Sequence, residues 1–231
     1  MAMSKTGIVL SVALAGGISF CLCGCRYRGG DFPGSAETGD SSDSGQVTVA
    51  KMGGEIDVKS APHGANLSTM GGDIHLGDVA SSAKVKTMGG VITIDHATGS
   101  VDASTMGGPI TIGHVEGALK ASTMGGEITA RMAGTSSSER DVELTSHGGT
   151  ITLTVPKDFP MDVRIQLAYT KNAPRTYEII DHIGLEKRET SDWDNSFGSP
   201  RKYIRARGRV GNGLNHVVIE TINGDVILKQ E

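Results

Sequence analysis

The chain has 231 residues, of which 37% are hydrophobic, 21% are charged and only 4% are aromatic. This length fits one folded domain together with processing segments. The formal net charge of −4 is small, and it excludes the strongly basic balance that is typical of nucleic-acid-binding proteins.

Residues 1–24 have the pattern of a signal peptide. One charged residue, Lys5, precedes an apolar stretch that runs from Ile8 to Phe20. A stretch of this length suits a secretory signal and is short for a membrane-spanning helix. We therefore expect an exported protein.

All three cysteines lie at the end of this segment, in Cys21-Leu22-Cys23-Gly24-Cys25. Leu22 to Cys25 resembles the bacterial lipobox, which implies cleavage before Cys25 and lipidation of Cys25. A lipoprotein anchored in the membrane of the cell envelope follows, on the periplasmic or outer-surface side. The alternative is a secreted soluble protein that is cut nearby. After cleavage before Cys25 only one cysteine remains, so neither a disulfide nor a cysteine-type metal site is expected.

Residues 25–45 are the predicted lipidated cysteine and a flexible tether. The segment is rich in glycine, serine and aspartate, a composition that cannot bury a hydrophobic core. Twenty such residues span about 25 Å on average. The predicted folded domain comprises residues 46–231.

A four-residue corner, Thr-Met-Gly-Gly, repeats through the first part of this domain. Its methionines are Met70, Met88, Met106 and Met124, and a variant corner carries Met52, so that the spacing is 18 residues throughout. A fixed period of about 20 residues is typical of solenoids, in which each repeat packs only against its neighbours. We therefore predict an all-β fold, a single-stack parallel β-solenoid (β-helix) with 18-residue coils.

Alternating apolar pairs flank each corner, such as Ala65/Leu67 before it and Ile74/Leu76 after it. Alternation with period two predicts two half-buried strands per coil. Degenerate corners around Gly148 and Gly224 bring the expected number of coils to seven, with an insertion at 134–140. One buried column is expected to contain Ile56, Ile74, Ile92, Ile110, Ile128 and Ile151.

The methionine column admits two interpretations. The five side chains could form an exposed stripe of thioethers, and soft thioether ligands favour Cu(I). We favour a position inside the corner, because Met70 shares the parity of Ile74 and Leu76 and an unbranched side chain fills irregular volumes well.

A second column contains Asp78, His96 and His114, which are one period apart and are expected to stack on one outer turn. Such a column could hold a metal ion. No fourth ligand is visible, however, and turn residues are commonly polar, so we predict neither a metal site nor another cofactor.

Residues 157–216 leave the repeat and are predicted to form an irregular capping insertion that enlarges the C-terminal end. The alternation in Met161–Leu167 and Tyr203–Val210 predicts two strands. Gly211-Asn212-Gly213 predicts a turn from the second of them into the strand Val217–Thr221.

Three arginines, Arg205, Arg207 and Arg209, alternate along the Tyr203–Val210 segment and are expected to face one way. Such a stripe could contact the phosphates or carboxylates of a polyanion. It is also a usual way to protect an exposed sheet edge from pairing with another chain, which is the interpretation we favour.

The closing sequence, Ile219-Glu220-Thr221-Ile222-Asn223-Gly224-Asp225-Val226-Ile227-Leu228, resembles the bacterial adhesin-type β-solenoid domain family, which is classed as a domain of unknown function. The resemblance covers about residues 46–231. It implies surface display and adhesion, but it supplies no catalytic or binding residues.

We found no Gly-x-Ser-x-Gly motif and no paired carboxylates in a context suited to catalysis. The sequence therefore predicts a non-enzymatic, lipid-anchored envelope protein that acts in adhesion, interaction or as a scaffold, towards an envelope polymer or a surface protein. The alternative is a glycan-processing enzyme of β-helix type. The expected contact residues, besides the three arginines, are Asp57, His75, Thr93, Thr111 and Thr129.

Overall fold

A computed structural model of the chain describes residues 45–134, 139–173, 176–196 and 198–231. These residues belong to the second of two units, Gly34–Glu231, and within them the fold is all-β. No helix in this part of the chain is long and apolar enough to cross a membrane. The predicted signal peptide, Cys25 and nearly all of the tether lie outside the described residues.

The first twelve strands alternate between two sheets. Among these twelve, the odd-numbered strands lie in sheet A and the even-numbered strands lie in sheet B. They are β1 (Val47–Lys51), β2 (Ile56–Ala61), β3 (Ala65–Thr69), β4 (Ile74–Val79), β5 (Ala83–Lys86), β6 (Ile92–Ala97), β7 (Val101–Thr105), β8 (Ile110–Val115), β9 (Leu119–Thr123), β10 (Ile128–Met132), β11 (Val142–Ser146) and β12 (Ile151–Val155). Each odd strand and the even strand after it form one coil. This gives coils one to six.

Six further strands form the C-terminal end. They are β13 (Met161–Thr170), β14 (Ile179–Asp181), β15 (Glu186–Glu189), β16 (Arg201–Val210), β17 (Asn215–Ile222) and β18 (Val226–Gln230). The order in sheet A is β1-β3-β5-β7-β9-β11-β17-β13-β16-β15, and in sheet B it is β14-β18-β12-β10-β8-β6-β4-β2. The predicted parallel β-solenoid is confirmed, and its stack consists of two separately hydrogen-bonded sheets.

The predicted isoleucine column is confirmed at the centre of the stack. The six isoleucines pair rung by rung through sheet B, and none exposes more than 2% of its surface. Val226 and then Ile179 continue the column. Because each side chain contacts the same column in the coils above and below, the core exists only in the stacked state.

The corner turns a threonine inwards and the following methionine outwards. Thr87 Oγ1 donates to Gly72 O at 3.0 Å and accepts from Gly90 N at 3.2 Å, and the same contacts recur one coil later. The threonine thus satisfies backbone groups of two coils at once. It fills the interior position that we expected the methionine to occupy.

The second glycine of each corner lies directly against the preceding coil. A Cβ atom on Gly90 would lie 2.0 Å from Gly72 O, whereas a Cβ on Gly89 would meet nothing within 4 Å. The two neighbouring glycines therefore differ in function. Only the second is required by the close approach of the backbones.

The described part of the 134–140 insertion is attached to the stack by Arg140, which exposes only 2% of its surface. Its Nη1 donates to Ala133 O at 2.7 Å, and its guanidinium lies 4.8 Å from the centre of the Phe159 ring. Burial lowers the pKa of Arg140. Its backbone N donates to Asn215 Oδ1 at 2.8 Å.

The order of the last two coils in the stack is the reverse of their order in the sequence. After β12 it passes to β13 and β14, which lie in coil eight, and it returns only with β17 and β18, which fill coil seven. β13 therefore lies between β17 and β16, so the predicted turn at residues 211–213 connects two strands that do not pair with each other. β17 and β18 therefore lie inside the stack.

Candidate functional site

The outer face of sheet B carries the predicted contact row. Asp57, His75, Thr93, Thr111 and Thr129 stand opposite one another on five successive strands, so they form one straight row. All five are exposed or half-buried. The sequence period alone therefore located this row correctly.

Within this row, His75 lies between two carboxylates. Its Nδ1 is 3.1 Å from Asp57 Oδ1, and its Nε2 is 3.1 Å from Asp95 Oδ2. The hydrogen bond with Asp57 raises the pKa of His75, and the charge of Asp95 adds to the effect. The three groups form a charge cluster in which the imidazole separates the two acids.

The predicted column of Asp78, His96 and His114 is also in register. His96 Nδ1 lies 3.9 Å from Asp78, while its Nε2 lies 3.9 Å from Glu116. The rings of His96 and His114 are 6.4 Å apart and tilted by 50°. These groups do not converge on one point, because the two carboxylates lie on opposite edges of the imidazole.

The methionine column faces solvent, so the favoured interior position was wrong. The exposed fractions are 84% for Met52, 51% for Met70, 46% for Met88, 50% for Met106 and 53% for Met124. The cause is the buried, hydrogen-bonded threonine that precedes each of the last four methionines. The parity argument failed because the alternation of the first strand continues through Met70, so the inward face is reversed after the methionine and not before it.

The three arginines lie on β16, which is paired on both sides. β16 is antiparallel to β13 over its full length and to β15 at residues 204–207. The edge of sheet A is instead β15, whose four residues, Glu-Lys-Arg-Glu, are all exposed. The interpretation that the arginines protect a sheet edge is therefore wrong for Arg205 and Arg207, because the short, charged strand β15 covers that edge, whereas Arg209 lies beyond the residues that pair with β15.

The arginine side chains share one exposed face with further charged groups. Arg205 Nε donates to Gln166 Oε1 at 3.3 Å. In register, Arg205 stands opposite Arg188, and Arg207 stands between Arg164 and Glu186. We call this surface the arginine face. Its guanidinium groups belong to Arg164, Arg188, Arg205, Arg207 and Arg209.

A groove of about 450 Å³ runs along the outer face of sheet A. Its lining includes the small residues Ser82, Ser100 and Ala118 and side chains of alternating charge, Lys84, Asp102, Lys120 and Glu143. Lys120 Nζ lies 2.8 Å from Glu143 Oε2. The groove is lined at one end by Asp141.

Beside this end lies a group that the sequence analysis missed. Glu139, Asp141 and His216 each offer one ligand atom, and these atoms lie within 4.8 Å of one another. Asp141 and His216 come immediately before Val142 and Val217, which are register partners on β11 and β17. The equal offsets from two degenerate corners were a signal that could have placed the two side chains together.

Comparisons with known proteins give one match. A family model described as Toastrack DUF4097 matches residues 38–173, which is more than half of the chain. No curated protein and no solved structure matches.

Proposed function

We propose that this chain, which belongs to the Toastrack DUF4097 family, is a non-enzymatic interaction scaffold of the bacterial cell envelope. In this proposal Cys25 carries a lipid anchor, and the polar segment after it holds the domain at a distance from the membrane. The arginine face contacts an anionic envelope polymer. The role is thus adhesion or attachment, as the predicted relation to adhesin-type domains implies.

One observation supports the choice of the arginine face as the polymer-binding surface. Arg205 and Arg207 lie on the part of β16 that is paired on both sides, so their side chains are not needed to protect a sheet edge, and Arg209 extends the same row. On and beside the arginine face, five guanidinium groups stand with three carboxylates, Asp162, Glu186 and Glu220. Arg188 lies 2.6 Å from Glu186, and Arg164 lies 3.7 Å from Asp162, so positive charge is in excess.

The spacing of these arginines suits a repeating anion. Residues i, i+2 and i+4 of a strand project on one side at intervals of about 6.8 Å. A planar guanidinium can bind a phosphate or carboxylate through two hydrogen bonds. A regular row on a rigid strand therefore favours an extended polyanion over a compact ligand.

The test compares the wild-type protein with the triple variant Arg205→Ser, Arg207→Ser, Arg209→Ser. A matched control, Lys59→Ser, Lys84→Ser, Lys86→Ser, removes the same charge from exposed positions of the repeat. Binding is measured to a purified anionic envelope polymer, to dextran sulfate and to neutral dextran. We expect the arginine variant alone to lose most binding to both polyanions.

A salt series gives the second readout. Exposed charges are screened over about 8 Å at physiological ionic strength, so wild-type binding should weaken steeply as salt increases. Equal binding by the two triple variants, or binding that salt does not alter, would contradict the proposal. Release of soluble sugar from the polymer by the wild-type protein would instead favour the glycan-processing alternative.

The anchor has its own test. Labelled fatty acid should enter the wild-type protein in bacterial cells and should not enter Cys25→Ala, because the thiol is the acyl acceptor in this proposal. Cys23→Ala is the matched control and should retain the label. Label in Cys25→Ala would refute the proposed anchor while leaving the polymer contact open.

A further inference from the structure

The geometry points to a metal site that neither the sequence nor the family match assigns. We propose that Glu139, Asp141 and His216 together bind one divalent transition-metal ion of the zinc class. The three side chains are exposed, and one ligand atom of each lies within 4.8 Å of the other two. This site adjoins the arginine face at Asp162, but the proposal does not depend on the proposed polymer contact.

The required ligand positions are close to those present. Zinc binds nitrogen and oxygen ligands at about 2.0–2.2 Å, mostly with tetrahedral geometry, so its ligand atoms lie about 3.4 Å from one another. Exposed side chains can close the remaining distance by small rotations. Glu139 precedes Arg140, whose buried guanidinium fixes the backbone beside it, so the adjustment falls on the exposed side chains.

Two of the three ligands are already held side by side. Asp141 Oδ1 accepts a hydrogen bond from His216 N at 3.1 Å, which places the aspartate carboxylate beside the histidine and leaves its second oxygen for a metal. Asn215, which is fully buried, accepts from Arg140 N at 2.8 Å and donates to Pro160 O at 2.6 Å. The backbone on both sides of the site is therefore rigidly joined.

The other histidine clusters in the described part of the chain lack this convergence. The carboxylates around His75 contact different ring nitrogens, and so do those around His96. An imidazole ring then stands between the two acids, and a single ion cannot contact all three groups. At Glu139, Asp141 and His216 the ligand atoms face a common space.

The ligand types indicate the class of metal. An imidazole nitrogen with carboxylate oxygens suits Zn²⁺ and neighbouring transition-metal ions, whereas Ca²⁺ and Mg²⁺ are bound by oxygen ligands. Asp162, the register partner of His216 on β13, places a further carboxylate near the site. Because Arg164 lies 3.7 Å from this carboxylate and Arg209 stands opposite it, Asp162 separates these cations from the site.

A bound ion would join coil six to coil seven. Glu139 and Asp141 precede β11, His216 is the second residue of β17, and 75 residues separate Asp141 from His216 along the chain. A metal that binds only the folded state raises stability by mass action. The site would therefore fasten the returning C-terminal segment to the coil against which it packs.

The experiment titrates Zn²⁺ into the purified full-length protein in detergent, with calorimetry and thermal unfolding as readouts. We expect one saturable site and a rise in Tm with Zn²⁺. His216→Ala and Glu139→Gln should each weaken binding at least about tenfold. Asp141→Asn should do the same while its amide oxygen still accepts the hydrogen bond from His216 N.

Matched controls are His147→Ala and His75→Ala, which remove exposed or half-exposed imidazoles outside the site and should leave the Zn²⁺ affinity unchanged. Cu²⁺ spectroscopy of the wild type should show one coordinated imidazole that disappears in His216→Ala. The proposal is overturned by wild-type protein that shows no saturable binding. It is equally overturned if Glu139→Gln, which alters no buried contact, and His216→Ala both bind as the wild type does.

Discussion

Coils one to six and the C-terminal end use the same two-strand unit, but the chain connects the units differently. In the first six coils each strand pairs with the strand of the next repeat, 18 residues away or displaced by the insertion. At the end, coil seven is formed by the last strands and is enclosed by coil eight, which is synthesised earlier. A regular repeat therefore specifies its neighbours locally, whereas the end requires pairing between distant segments.

This difference has a consequence for stability. A solenoid coil is stabilised mainly by its own contacts and by the two interfaces with its neighbours. Coil seven contacts coil six through β11 and coil eight through β13, so its loss would separate coil eight from the rest. The following predictions test whether the two regions behave differently.

The largest effect is expected from an aspartate in the middle of the isoleucine column. Ile92→Asp would bury an unpaired carboxylate between two coils and should destabilise the domain by more than about 4 kcal/mol, enough to abolish cooperative folding. Ile179→Asp makes the same change in coil eight, on the three-residue strand β14. It should leave coils one to six folded, as judged by circular dichroism and limited proteolysis. Equal loss of structure in both variants would mean that the two regions unfold as one.

The next effect distinguishes the two glycines of one corner. In Gly90→Ala the new Cβ would lie 2.0 Å from Gly72 O, so the backbones of two coils must separate, and a loss of about 3 kcal/mol in the free energy of unfolding is expected. In Gly89→Ala the new Cβ meets no atom within 4 Å, so the free energy of unfolding should change by less than about 0.5 kcal/mol. Chemical denaturation measures both.

The second glycine of the corner also lacks room for a Cβ atom at the C-terminal end. A Cβ on Gly224 would lie 2.1 Å from Gly149 O, although the corner around Gly224 has lost the Thr-Met-Gly-Gly sequence. Gly224→Ala should therefore be as harmful as Gly90→Ala. A mild effect there would show that the end of the stack tolerates wider spacing than the regular coils.

These comparisons also show what the sequence could reveal. The isoleucine column and the row from Asp57 to Thr129 follow directly from an 18-residue period, because parallel strands in successive coils place equivalent residues side by side. The outward direction of Met70 did not follow, since it depends on the hydrogen bonds that hold Thr69 and its equivalents inside. The position of β13 and β14 beyond coil seven also remained hidden, because there the order of the coils departs from the order of the chain.

A moderate effect is expected at the junction between the regions. Asn215→Ala would remove the partner of Arg140 N and one of two donors to Pro160 O, which keeps the hydrogen bond from Asn215 N. Leaving the buried Arg140 N unsatisfied should cost about 2 kcal/mol. Asn212→Ala, in the exposed loop before β17, is the matched control and should cost less than about 0.5 kcal/mol. Hydrogen exchange should show that amide protection is lost mainly in β13 and β17. A uniform loss of protection would argue against a separate junction.

The smallest expected effect is a pH dependence of stability that arises from His75 in the regular coils. The pKa of His75 is raised by its hydrogen bond to Asp57 and by the charge of Asp95, so the folded state binds a proton more tightly than the unfolded state does. The resulting stabilisation is fully present below the unfolded pKa of about 6.5, and it is lost as the pH rises through the folded pKa. Because the three side chains are substantially exposed to solvent, the contribution should be below about 1 kcal/mol.

The measurement is the Tm of the wild type and of His75→Gln between pH 5 and pH 8. The difference should favour the wild type at the acidic end and shrink towards neutral pH, and added salt should reduce it. His147→Gln, at an exposed corner in coil six, controls for the loss of an imidazole and should show no such trend. A difference that is constant across this range would mean that His75 contributes packing alone, and that the charge cluster in the regular coils does not respond to pH.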